Sequence, residues 1–95
     1  MQAIVADTTP LNYLVLIQAA YILPNLYRRV LIPPAVKAEL AHANTPAIVR
    51  AWISQPPTWL DVVSLKLPVD SALAHLDAGE REVISLASEL QATFC

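Results

Sequence analysis

The sequence predicts an α/β domain built on a parallel sheet, and three observations carry that expectation. Ala3-Ile4-Val5-Ala6 and Val30-Leu31-Ile32 are apolar at successive positions, the pattern of strands covered on both faces. Trp59 to Leu65 is rich in valine and bounded by prolines, which favours a third strand. Between these runs lie segments of helical period, so the order is strand, helix, strand, helix, helix, strand, helix.

Composition narrows the class. At 95 residues the chain is one domain, residues 1–95, and 56% hydrophobic against 15% charged content marks it as packed and not disordered. A net charge of −2 gives no basic footprint for nucleic acid. The one cysteine, Cys95, excludes an internal disulfide, and with only His42 and His75 beside it no Cys/His zinc site can be assembled. A reducing cytoplasm is the expected location. No charged residue occurs from Thr8 to Tyr27, but Asn12, Gln18, Pro24 and Asn25 interrupt that window, so no membrane segment is expected. A signal peptide would want Lys or Arg ahead of the apolar region, where this chain has Asp7.

Taken in order, Ala3 to Ala6 forms the first strand and Asp7 ends it. Thr9-Pro10 supplies an N-cap and first helical residue for a helix from Pro10 to Ala20. A short helix continues from Ala20 to Tyr27, with Pro24 in its first turn. Val30 to Ile32 is the second strand, and Pro34 opens a helix reaching His42. Asn44-Thr45-Pro46 repeats the cap-then-proline signal for a helix to Ser54, with Ile48, Val49, Trp52 and Ile53 as its apolar face. After the Trp59 to Leu65 strand, Pro68 begins a short helix to Leu76. Asp77-Ala78-Gly79-Glu80 interrupts it and starts the last helix, which runs to Gln91.

Three acids stand out by position. Asp7 falls at the carboxyl end of a central strand, where ligands and catalytic groups collect in open α/β sheets, though an aspartate there also caps a turn. Glu39 shares a helical stripe with Ala35, Val36 and Leu40, so it points toward the core or snorkels past its boundary. Glu80 lies on the stripe of Val83, Ile84, Ala87 and Leu90, and a first-turn acid also complements the helix dipole. Carboxylates at element ends are what a Mg²⁺ or Mn²⁺ site requires. A bound ion offsets their mutual repulsion and activates water for attack on a phosphodiester. His42 and His75 lie on ordinary helices, and Trp52 and Trp59 read as core anchors. Gly-rich phosphate loops, HExxH and nucleophile-elbow patterns are absent from the sequence.

Three pieces in order, IVADTTPLNYL, VLIPPAVKAEL and LDAGEREVISLASEL, make the chain resemble PIN-domain proteins, the superfamily of VapC-type toxin nucleases. The likeness is greatest to PIN-like chains that begin with a strand followed by DT(S/T)PL, and it covers essentially the whole sequence. It implies a PIN-like three-layer fold on a parallel sheet. It further implies Asp7, Glu39 and Glu80 as ligands of Mg²⁺ or Mn²⁺, and Thr9 as the small polar residue that orients them. Asp77 and Glu82 become helpers, and Arg28, Arg29, Lys37 or Arg81 contacts for phosphates. The implied activity is cleavage of an RNA substrate, and the implied partner is an antitoxin protein.

Similar proteins continue into a further strand carrying another metal-site aspartate, then a helix and a final strand. The resemblance therefore implies a C-terminally truncated domain with three of about five strands. Its first strand would be an unpaired sheet edge inviting a homodimer or another partner. A second reading follows, a non-catalytic remnant or interaction module that binds through that edge. A third is a membrane-associated helical protein.

Overall fold

A computed structural model describes residues 3–95. Nine elements of helix and strand follow one another: β1 (Ala3–Val5), α1 (Thr8–Leu16), α2 (Ile22–Leu26), β2 (Arg29–Ile32), α3 (Pro34–Leu40), α4 (Ala47–Ser54), β3 (Leu60–Val62), α5 (Ala78–Leu90) and β4 (Thr93–Phe94). The strands form one sheet in the order β3-β2-β1-β4, every pairing parallel. Ile4, Val5 and Ala6, like Val30, Leu31 and Ile32, are buried in succession. Neighbouring strand residues point to opposite faces, so both faces of the sheet are covered. The α/β parallel architecture expected from the sequence is the one observed.

The sheet differs from expectation at one edge. Four strands are present where three were expected, and β1 is interior, with β2 on one side and β4 on the other. Ile4 aligns with Thr93 and Val5 with Phe94, and the ladder is extended by Cys95 N–H donating to the Val5 carbonyl at 3.0 Å. A two-residue strand carries no period to read. The turn that creates it is also hidden, because Gln91 ends α5 in the left-handed region at φ 54°, a conformation usually signalled by glycine. Ala92 N–H then closes the helix end onto the Ala87 carbonyl at 2.9 Å.

Other boundaries shift for local reasons. The N-cap of α1 is Asp7, not Thr9, since its Oδ1 accepts the Thr8 N–H at 2.7 Å, and α1 stops at Leu16 before Gln18 turns the chain at φ 60°. The helix expected after Pro68 is a single 3₁₀ turn, Ser71–Leu73, with no buried residue. Lacking an apolar face, it has nothing to extend it, and Asp70 Oδ1 holds the Ala72 N–H at 2.9 Å in a local turn. The core gathers Leu11, Leu31, Ile32, Leu40, Ile53 and Leu86 from both sides of the sheet and the helices over it. Trp52 and Trp59 pack on it as a tilted pair, centroids 6.0 Å apart.

A non-glycine residue in the left-handed region costs about 1 kcal/mol. Gln91→Gly is therefore expected to raise stability by somewhat less than that, because glycine loses more entropy on folding; a urea denaturation midpoint measures it.

Candidate functional site

The carboxyl ends of the parallel strands make one rim, and β1 delivers the first acid to it. Ala6 N–H donates to the Leu31 carbonyl at 2.9 Å and Asp7 N–H to the Cys95 carbonyl at 2.6 Å, so the backbone under Asp7 is held from both neighbours. Asp7 is half-buried. Besides capping α1, it lines a cavity of about 180 Å³ whose walls include Glu80, Phe94 and Cys95.

The second acid comes from α3. Glu39 is half-buried, and its Oε1 accepts the hydroxyl of Thr8, the residue whose N–H Asp7 caps. On another side the carboxylate abuts α5: a Cβ built on Gly79 would stand 3.0 Å from Glu39 Cδ and 3.1 Å from Oε2. Asp7, Thr8, Glu39 and the first turn of α5 are thus neighbours. Thr8 was not singled out in the sequence, where Thr9 was; Thr9 is exposed and the hydroxyl that reaches an acid is one position earlier. Asp7 as N-cap was the missing signal, since it makes Thr8 the first helical residue.

The third acid, Glu80, is exposed and does not join the buried stripe of Val83, Leu86 and Ala87. It folds back instead into a capping box with Asp77. Asp77 Oδ1 accepts the Glu80 N–H at 2.8 Å and Glu80 Oε1 accepts the Asp77 N–H at 3.3 Å, which satisfies two donors at the start of α5. Carboxylate oxygen suits a hard divalent cation, so the donor chemistry of the rim fits one. Each of the three acids, however, already accepts a hydrogen bond from the protein. Among the described residues, no three Asp, Glu, His or Cys side chains converge as a metal site.

The remaining charged residues divide by position. Glu82 Oε1 accepts the Ala35 N–H at 3.0 Å, so α5 caps the first turn of α3. Arg28 precedes β2 and Arg29 opens it; both belong to the amino ends of the strands, opposite the acidic rim. Lys37 is exposed on α3, and Arg81 donates from Nη1 to the Leu76 carbonyl in the segment leading into α5. His42 Nδ1 accepts the Asn44 N–H at 3.1 Å.

With this geometry in hand, comparison decides the lineage: a family model described as a PIN domain matches residues 3–95. The chain belongs to the PIN domain family. No curated protein and no solved structure matches it. PIN domains generally use divalent metal ions and are nuclease-type proteins. In this PIN domain no described helix is long and apolar enough to cross a membrane.

Cys95 is the rim residue that sequence reasoning passed over. Partial desolvation of the exposed Cys95 thiol pushes its pKa up, and the nearby Asp7 carboxylate pushes it further, against a smaller lowering by a hydrogen bond from the Asp7 backbone. A raised value means less thiolate at a given pH, so the pH of half-maximal alkylation by iodoacetamide is expected above that of a free cysteine peptide. Asp7→Asn is expected to bring it down. Separately, Glu82→Ala leaves the Ala35 N–H without its cap and is expected to cost about 1 kcal/mol, measured by chemical denaturation.

Proposed function

We propose that this PIN domain is an endoribonuclease dependent on Mg²⁺ or Mn²⁺, acting in the cytoplasm as the toxin of a toxin and antitoxin pair. The observation that carries the reading is the link from Asp7 through Thr8 to Glu39 at the end of an interior strand. Nothing in the folding of α1 or α3 requires the Thr8 hydroxyl to reach a carboxylate from another helix.

In this reading Asp7, Glu39 and Glu80 hold the ion. Thr8 takes the orienting part that the family resemblance gave to Thr9. When bound, the ion supplies charge neutralisation and an acidified water for attack on phosphorus. Asp7, fixed by hydrogen bonds on both sides of its strand, gives the site a rigid acid. Glu39 brings a second acid that Thr8 orients, and Glu80 becomes available by leaving its cap on Asp77. Lys37 and Arg81 are the cations that would meet the phosphates of an RNA strand.

The interaction-module reading named β1 as the open edge; with β1 enclosed by β2 and β4, that reading would have to use β4, the strand now at that edge.

The decisive assay is cleavage of a labelled single-stranded RNA with Mg²⁺ or Mn²⁺. Asp7→Asn is expected to lower the rate at least about a hundredfold, and EDTA to abolish it. Cleavage that persists with EDTA or in the variant removes the mechanism.

A further inference from the structure

The sequence contains a single glycine, Gly79, and the fold uses it for space. Its φ is not positive, so the backbone there would accept alanine. Gly79 is buried in the first turn of α5. The three atoms that a Cβ would meet first all belong to the Glu39 carboxylate. They are the movable end of a long side chain, so alanine at this position displaces the acid and leaves the helix in place. The same carboxylate is held from α1 by the Thr8 hydroxyl.

We infer that Gly79 and Thr8 are positioning residues that seat the Glu39 carboxylate at the rim, Gly79 by leaving the volume it occupies and Thr8 by donating to it. The consequence for cation binding rests on the reading of Glu39 as an ion ligand; the seat itself does not. A glycine needed only for close helix packing would have backbone or a rigid side chain against its Cα. Here the neighbour is the flexible end of a carboxylate side chain that a hydroxyl already orients. The chain therefore has no glycine at its turns and one where an acid must lie against a helix.

A metal-free thermal unfolding cycle tests the seat, using the parent, Gly79→Ala, Glu39→Ala and the double variant. Replacing glycine by alanine at a compatible backbone position normally stabilises, so with the seat emptied by Glu39→Ala, Gly79→Ala is expected to raise Tm by about 4 °C. With Glu39 present the same change is expected to leave Tm unchanged or lower. Equal effects in the two backgrounds overturn the inference. Titration with Mn²⁺ alone then reads the consequence at the rim. Gly79→Ala and Thr8→Val are expected to weaken binding about tenfold, as loss of a supporting partner does, while Thr8→Ser keeps the parent affinity. Binding by the parent that neither variant weakens overturns the positioning role. A parent that does not bind Mn²⁺ removes the nuclease reading, and the unfolding cycle still decides the seat.

Discussion

The enclosure of β1 is the constraint from which the rim follows. A three-residue strand has few ladder hydrogen bonds, and an edge strand of that length would be held on one side only. Here β2 and β4 flank it in parallel, and the pairing runs past the strand's last residue to Ala6 and Asp7. A slip of one residue would turn every side chain of β1 to the other face, carrying Asp7 away from the cavity. A slip that set the Asp7 carboxylate in the place of buried Ala6 would be expensive, since it would bury a charged group. The position of a polar side chain is thus fixed by apolar neighbours and backbone pairing.

The acids of this chain do two kinds of work. Asp70, Asp77, Glu82 and Glu89 accept backbone N–H groups at turns, helix starts or loops. Glu89, for example, takes the N–H groups of Lys66 and Leu67 and ties the segment after β3 to α5. Glu39 differs, since the partner of its carboxylate is a side-chain hydroxyl from another helix. Asp7 and Glu80 also accept backbone N–H groups, each at the start of a helix, and in addition border the same cavity. Under the proposed nuclease reading, Asp7 could cap and bind an ion at once, since its second oxygen is not used by the cap, whereas Glu80 would have to give up a longer hydrogen bond.

Much of this was legible in the residues. Successive apolar positions gave β1 and β2, and Pro34 gave the start of α3. The acid at the end of β1 was readable from the abrupt change of Ala6-Asp7. What could not be read depended on contacts between distant segments. Thr8 and Thr9 are chemically alike, and only the cap by Asp7 tells which one meets Glu39. Glu80 has the spacing of the buried stripe, yet a first-turn side chain can fold back on its own cap, and periodicity does not register that choice. The strand β4 hides behind a left-handed glutamine. Gly79 reads as a helix breaker until the Glu39 side chain is seen against it.

The clamp between Glu82 and the start of α3 limits how the domain can change over evolutionary time. The group it grips is a main-chain N–H, which every amino acid except proline supplies. Drift at Ala35 is therefore free of that requirement, while drift at Glu82 is not. The contact across the same helix pair at Gly79 has the reverse character, because both partners are defined by size: a bulkier residue at 79 asks for a shorter one at 39. Among diverging copies of this fold, one pair of positions should change together and the other should leave a trace on one side only.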